Sequence, residues 1–590
     1  MSSLTWSRRT PIGAEVVATP EQGVHVRMWA PNAKDVAIVV ESDAREVTLA
    51  VDEHGYASGF VPGLAERALY RFRVDGALVP DPASRFQPQG PFGPSQVVDP
   101  DHFTWTDKMW TGLPADRHVV YELHIGTFTK AGTWLAACKE LAYLAQLGVT
   151  TIEVMPINEF AGDNGWGYDG VNLFAPHWKY GQPDDFRHFV DRAHALGIAV
   201  ILDVVYNHLG PDGNMLPAEF RHKDKATDWG ESIDFSIPQV RELYIANAIS
   251  WITEYHLDGL RFDATDAIHD DTILAEIITA CRAAVPNRAL WMVAEDNSQR
   301  GQLVRDSGFD ALWNDDFHHS ARVAATGVVD GYLRPYDGSA RELVAALRHG
   351  FLYQGQTTRG TAALDLPRTA FVHFLENHDQ VANLGFGERL HQLADPGTLR
   401  ALTAVLLLAP SIPMLFQGQD TGSVRPWEFF CSHTGELGEA VRKGRAAQMA
   451  KFERFDLPSG REARRDPIAR ETFEACILDE TARDFSRPIV ALHRDLLHLR
   501  NDTHGALDAA VLSEQAFVIR FNGSRVLLVN LGNTFQRPFV AEPLLAPPTG
   551  KSWKFIWSSE ALAYGGHGTP TTFSERGVHI PARAAVLLGV

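Results

Sequence analysis

Cysteine is scarce in this chain: Cys138, Cys281, Cys431 and Cys476 are the only four in 590 residues, and none stands at C-x-x-C or Cys/His spacing. That pattern excludes a disulfide-framed fold and a thiolate zinc site, and reduced, mostly buried thiols are expected. Long apolar runs are missing too. The longest, residues 401–416, is broken by Pro410 and Pro413 and is too short to span a bilayer, so no membrane association is expected. The opening Met-Ser-Ser-Leu-Thr-Trp-Ser-Arg-Arg has no apolar stretch that could serve as a secretory leader, and a cytoplasmic location is expected. Basic stripes are absent and the formal net charge is −19, which argues against a nucleic-acid partner and favours a neutral substrate. There is no H-x-H or H-E-x-x-H pair, so no metal and no other cofactor are expected.

Ordinary globular content fills the rest, with 45% hydrophobic and 22% charged residues. A chain this long calls for two or three cores, one of them large enough for a barrel of about 250 residues or more. Residues 1–110 contain short alternating runs, such as Val24-His25-Val26-Arg27-Met28-Trp29 and Val36-Ala37-Ile38-Val39-Val40, and read as a β-sandwich. From residue 119 the pattern changes to β-rich runs alternating with amphipathic helices, which predicts a parallel (β/α)8 TIM barrel over 111–500. Its eight strands are expected near 119–127, 149–157, 199–206, 258–264, 290–295, 311–315, 371–376 and 414–417, with helices at 134–147, closed by Gly148, and near 240–255. β patterns return at 516–520 and 524–530, so 501–590 should form a C-terminal antiparallel β-sandwich.

Four of the strands end in polar clusters. Ile201-Leu202-Asp203-Val204-Val205-Tyr206-Asn207-His208, Gly259-Leu260-Arg261-Phe262-Asp263, Val293-Ala294-Glu295-Asp296 and Phe374-Leu375-Glu376-Asn377-His378-Asp379 each pass from apolar residues to acids, amides and histidines. One such ending reads as a helix cap or turn. Four in succession at barrel strand ends read as an active face. Arg261 and Asp263, two apart, point to the same face and can pair, which would keep Asp263 ionised as a nucleophile. Glu295 follows the apolar run Trp291-Met292-Val293-Ala294, which would raise its pKa and suit it to general-acid work.

These segments resemble the conserved regions of the α-amylase family, glycoside hydrolase family 13, in order and spacing over residues 120–420. The resemblance implies that Asp263 is the nucleophile, Glu295 the acid/base and Asp379 the third carboxylate, in a retaining mechanism. It implies substrate contacts from Tyr168, His208, Arg261 and His378, with Trp166, Glu376 and Gln380 as further candidates, and a carbohydrate-binding-module-like, immunoglobulin-like N-terminal sandwich. Asp203 and Asn207 are expected to be scaffold. The stretches 121–128, 208–214, 378–381 with 387–390, and 427–430 through 442–445 are similar to the trehalose-releasing hydrolases of that family. They imply maltooligosyl trehalose or a related α-1,4-glucan as substrate, and functional pairing with an enzyme that forms maltooligosyltrehalose. Two positions depart from the pattern: Glu376, where Gln is expected, and Cys431-Ser432-His433, where a Thr-Asp-His-like sequence is expected. A branching or debranching enzyme, an inactive glycan-binding barrel and a metal-dependent barrel hydrolase are the competing readings.

Overall fold

The computed structural model describes residues 8–590 apart from 19–20, 228, 357–359, 384–385, 453–464, 502, 504 and 575–576. The first seven residues, read above for a leader, lie outside the described residues. Among the described residues no helix is long and apolar enough to cross a membrane.

Alternation in the N-terminal segment produces two antiparallel sheets. One orders Gly13–Val17, Gly23–Trp29, Tyr56–Pro62 and Ala50–Val51; the other orders Glu46–Thr48, Val36–Val40, Leu69–Val74 and Ala77–Val79, with Ser95–Gln96 added on Leu69–Val74. Their inner faces share one core of Val24, Val26, Met28, Ile38, Val40, Val61, Tyr70 and Phe72, as the period-two pattern requires. This sandwich is fixed to the next unit by Arg85, which clamps Glu254 through Nε at 2.8 Å and Nη2 at 2.6 Å, and by Tyr56, whose hydroxyl donates to Glu242 at 2.7 Å.

Eight parallel strands close a barrel in chain order: β1 (Val120–Leu123), β2 (Thr151–Val154), β3 (Ala199–Val204), β4 (Gly259–Phe262), β5 (Trp291–Ala294), β6 (Ala311–Trp313), β7 (Phe371–Phe374) and β8 (Ile412–Phe416). Closure comes from β8 pairing with β1, Met414 opposite Val120. The interior is layered. Val120, Ile201, Trp291, Val293, Val372, Phe374, Ile412 and Met414 fill the axis. Two residues beyond Val120, Ile201 and Val293 stand Glu122, Asp203 and Glu295, and Arg261 of β4 joins them, so the barrel turns from apolar to charged toward its C-terminal mouth.

The helix Trp134–Leu147 occupies the predicted residues. Thr133 caps its start, and Gly148 ends it at φ 109°, where its N–H bonds the Leu144 and Ala145 carbonyls. The helix expected near 240–255 runs Pro238–Glu254, starting early because Pro238 is preset for the first turn. Several strands are shorter than the sequence suggested. β1 stops at Leu123 because Ile125–Phe128 winds into a helical turn. β4 stops before Asp263, and Ala264 takes a left-handed conformation at φ 38°. β6 and β7 stop early because Asn314 and Asn377 cap the helices Asp315–Thr326 and His378–Ala382.

Toward the C-terminus a five-stranded antiparallel sheet orders Leu507–Val511, Ala516–Phe521, Arg525–Asn530, Ala584–Gly589 and Lys554–Ser558. A three-stranded sheet of Phe535–Arg537, Gly577–Ile580 and Phe573–Ser574 shares a core with it through Val518, Val526, Phe535, Ile580 and Val586.

Candidate active site

The charged layer at the barrel mouth is organised by one cation. Arg261 Nη1 donates to Asp203 Oδ2 at 2.7 Å and to Asp263 Oδ1 at 2.8 Å, and Nη2 donates to Glu295 Oε2 at 2.5 Å. From below, the Trp313 ring supports the guanidinium at 4.1 Å. One fully buried positive charge therefore serves three carboxyl groups, and three negative charges around it would be more than it offsets.

The ionisation states divide accordingly. Burial acts to raise the Asp263 pKa, but Arg261, the Asn207 amide at 2.8 Å and His208 outweigh burial and hold it below the usual carboxylate range. Burial drives Glu295 well above that range, and Asp263, Asp379 and Asp315 add to the shift against the pull of Arg261. Burial likewise raises Asp203, to about 6. Glu295 Oε2 already accepts from Arg261 and from the Ala264 N–H at 3.2 Å, which leaves Oε1 to carry the proton.

Above these acids opens a cavity of about 520 Å³ lined by Trp166, Tyr168, His208, Asp263, Glu295, His378, Asp379 and Gln380, so eight of the ten sequence-predicted residues converge there. A larger hollow, of about 830 Å³, lies between the sandwich and the helix Pro238–Glu254. Its acids include Glu254, held by Arg85, and Glu276, held by Arg241. Size therefore does not select it over the cleft.

Tyr168 sits on the loop that approaches β2 at Gly167, φ 101°, where a Cβ would meet the Pro156 carbonyl oxygen at 1.9 Å. Its hydroxyl donates to Asp203 Oδ2 at 2.6 Å and lies 2.8 Å from His378 Nε2, with the two rings stacked at 5.2 Å. Burial lowers the basicity of His378, but Asp379 and Glu122 outweigh it and raise the imidazole to about 10. The Cys431-Ser432-His433 departure fastens this loop. Ser432 Oγ donates to the Asn164 carbonyl at 2.8 Å, and His433 Nε2 pairs with Asp169 at 3.0 Å.

Two predicted substrate contacts are corrected. Arg261 does not line the cleft, because its guanidinium lies beneath the floor, consumed by the carboxyls and Trp313. Glu376 turns away as well: Oε1 accepts from the Leu390 N–H, Oε2 lies 3.6 Å from Arg389 Nη1, and the side chain lines a separate cavity with Leu390 and Ile489. Strand alternation would have pointed Glu376 inward, but β7 ends at Phe374 and the turn into the Asn377 cap breaks the parity.

The structure also adds residues. Asp315, raised to about 6 chiefly by burial, receives the Gln380 amide at 3.1 Å, and Tyr332 donates to Gln380 Oε1 at 2.6 Å. Asp315 carries the same strand-end signal as the other four segments and was readable. Phe429 and Arg445, which belong to the stretches 427–430 and 442–445 singled out above, reach the cleft from beyond β8, and Gln448, with Arg445 on the helix Gly435–Met449, joins them with no local motif.

The shared guanidinium makes a stability prediction. Arg261→Met leaves three buried carboxyls without their cation and is expected to cost about 3–5 kcal/mol at neutral pH. In the wild type the depressed Asp263 contributes stability above its unfolded pKa, and loses it as pH falls through the folded value. In the variant that contribution becomes a penalty, and acidification relieves it by protonating the carboxyls. Denaturant unfolding at pH 5 and pH 7.5 checks this; a deficit no smaller at the lower pH contradicts the shared-cation account.

Comparison with known proteins agrees with the geometry. The chain matches the Alpha amylase, catalytic domain family over residues 98–230, and Carbohydrate-binding module 48 (Isoamylase N-terminal domain) over residues 11–86. It is 40% identical to the malto-oligosyltrehalose trehalohydrolase of Deinococcus radiodurans, covering 92% of this chain and 94% of that protein. It is 34% identical to the enzyme of that name from Saccharolobus solfataricus, covering 86% and 94%. A crystal structure from Salmonella typhimurium, described as an alpha amylase, superposes with a TM-score of 0.87 at 36% identity, covering 98% of this chain and all of that one. With near full-length similarity to two such enzymes and the paired carboxyls of a glycosidase at its barrel mouth, the chain belongs to the malto-oligosyltrehalose trehalohydrolase family, a glycoside hydrolase branch of the α-amylase family.

Proposed function

We propose that the enzyme hydrolyses the α-1,4-glucosidic bond next to the terminal trehalose unit of maltooligosyl trehalose, releases trehalose, and retains the anomeric configuration. The observation that carries this reading is the single guanidinium shared by Asp263 and Glu295, whose pKa values are driven in opposite directions. One carboxyl is thereby an anion and its neighbour an acid, which is the division of labour that double displacement needs.

The first step follows from those states. A carboxylate oxygen of Asp263 attacks C1 of the glucosyl ring while the Glu295 proton passes to the glycosidic oxygen, so trehalose leaves as a neutral molecule and a glucosyl ester remains. Water then attacks C1, Glu295 takes its proton, and the ester breaks to return Asp263 as the carboxylate. Two inversions give net retention, for which carboxyls about 5–5.5 Å apart are suited. Asp379, half-buried at the cleft edge, grips ring hydroxyls, while Tyr168 and His378 form the wall against which the ring lies. Asn207 and Asp203 do not touch the substrate; they hold Asp263 and Arg261.

Product analysis tests the reading. Incubation with maltooligosyl trehalose is expected to yield free trehalose and the shortened maltooligosaccharide. A branching enzyme would instead pass the glucosyl ester to a glucan hydroxyl and build α-1,6 links in amylose; such links without trehalose release would replace the present assignment. The chemistry of this substrate also implies a functional partner, an enzyme that closes the reducing end of a maltooligosaccharide into a trehalose unit.

A further inference from the structure

Beneath the cleft lie two acids that the steps above leave unused. Glu122 on β1 and Glu153 on β2 are direct partners in the parallel register, so their carboxyls stand side by side at the barrel axis, each 1% exposed. Glu122 is fully engaged. Its Oε1 accepts from His378 Nδ1 at 2.5 Å, and its Oε2 accepts from the His378 backbone N–H at 3.1 Å. Glu153 has no such donors: among the described residues neither of its oxygens has a hydrogen-bond partner. An ionised carboxyl without donors, beside a second carboxyl, is a state that a protein interior does not sustain. Burial, and after it Glu122, accordingly drive Glu153 well above the usual range, against the pull of Arg261 and His378.

One negative charge then remains on the pair, and His378 rests on it. The charged and titratable groups facing His378 come from several elements: Glu122 from β1, His124 from the turn that follows it, Glu153 from β2, Arg261 from β4, Tyr168 from the loop above, and Asp379 from its own helix, 3.5 Å from Nε2. A proton on both ring nitrogens gives every bond in the chain one direction. Nδ1–H donates to Glu122, Nε2–H donates to the Tyr168 oxygen, and the Tyr168 hydroxyl is left to donate to Asp203, which receives Arg261. A neutral His378 would offer Tyr168 a lone pair at Nε2 instead. The tyrosine proton could then leave Asp203, loosening the arginine that holds both reacting carboxyls.

We propose that Glu122 is a positioning residue that keeps His378 an imidazolium through the catalytic cycle, and that Glu153 stays a neutral acid so that Glu122 can keep its charge. The proposal rests on the glycosidase reading of the cleft for its purpose, but its primary readout needs no activity.

Selectively 15N-histidine-labelled protein reports the His378 ring directly, with the signal assigned by its loss in His378→Asn. In the wild type the imidazolium is expected to persist toward pH 10. Glu122→Gln should bring its midpoint down by about two units or more. The same variant should lower kcat/KM at pH 8 by about tenfold or more, the deficit narrowing as His378 recharges at lower pH. Glu122→Asp, which keeps the charge, should restore the ring's high midpoint. Glu153→Gln should leave that midpoint in place, since it exchanges one neutral group for another. A ring already neutral at pH 7.5 in the wild type, or an unchanged midpoint in Glu122→Gln, overturns the positioning role. A midpoint that drops by about one unit or more in Glu153→Gln shows that Glu153 was ionised and overturns the neutral-acid assignment. If Glu122→Gln does not fold, the wild-type ring and the Glu153→Gln ring still decide. Absence of trehalose release from the wild type would defeat the proposed function while leaving these ring measurements readable.

Discussion

Asp263→Ala is expected to lower kcat for trehalose release by about four orders of magnitude or more, the loss associated with deleting a covalent nucleophile. The variant should still fold, because Arg261 keeps Asp203 and Glu295 as partners when Asp263 is gone. Circular dichroism and unfolding curves separate that outcome from collapse of the barrel. The loss should fall on kcat, with KM changed much less, because the hydroxyl-gripping groups around the ring remain. Azide fits the space vacated by the carboxylate, and its attack on C1 should give a glucosyl azide of inverted configuration, which a nucleophile deletion permits and a general disruption does not. Unaltered kcat in a folded Asp263→Ala protein would remove the double-displacement mechanism.

Glu295→Gln carries the second large effect. A glutamine cannot donate a proton to a glycosidic oxygen, so kcat on maltooligosyl trehalose should fall by about two to four orders of magnitude. A glucosyl fluoride needs little acid assistance to depart, so its first step should suffer far less. The pH profile gives an independent reading. In the wild type, activity is expected to fall on the alkaline side as Glu295, raised well above an ordinary carboxyl, loses its proton, and on the acid side as Asp263 gains one. The variant should lose the alkaline limb and keep the acid one. Stability moves the other way. A carboxyl whose folded pKa is raised holds its proton more tightly than the unfolded chain does, so it erodes stability as pH climbs above the unfolded value. Glutamine removes that erosion, and Glu295→Gln should melt higher than the wild type at neutral pH. An alkaline limb that persists in the variant would assign that limb to another group.

The two carboxyl substitutions act on residues whose neighbourhood was legible in the sequence, for a physical reason. A barrel strand is mostly apolar until it leaves the packed axis, so the change from Val293-Ala294 to Glu295, or from Phe262 to Asp263, marks the point where the chain meets the cleft. The helix Trp134–Leu147 was equally readable, since Thr133 and Gly148 punctuate it with their own chemistry. Strand ends were less so. Apolar residues such as Ile125 and Phe128 continue the β pattern of β1, although the backbone has already coiled, and only tertiary packing tells the two apart. Glu376 misled for a related reason, because the parity argument holds only while the chain remains extended. Glu122 and Glu153 left a signal that went unread: an acid in the middle of Val120-Tyr121-Glu122-Leu123 or Thr151-Ile152-Glu153-Val154 is a charge placed where water cannot follow. Gln448 left none, since an exposed helix with polar residues looks the same whether or not one stripe of it walls a cleft.

The fastening of the Tyr168 loop by Ser432 and His433 bears on when the enzyme can first act. Hydrogen bonds such as Ser432 to Asn164 and Trp166 to Glu428 join points more than 260 positions apart, and Met414 must reach Val120 before the cylinder has no seam. Contacts of such wide separation are the slow, late ones in folding. The three acids, all of which precede residue 414 in the chain, therefore cannot work as a set until the segment that follows them has folded back onto β1 and the Tyr168 loop.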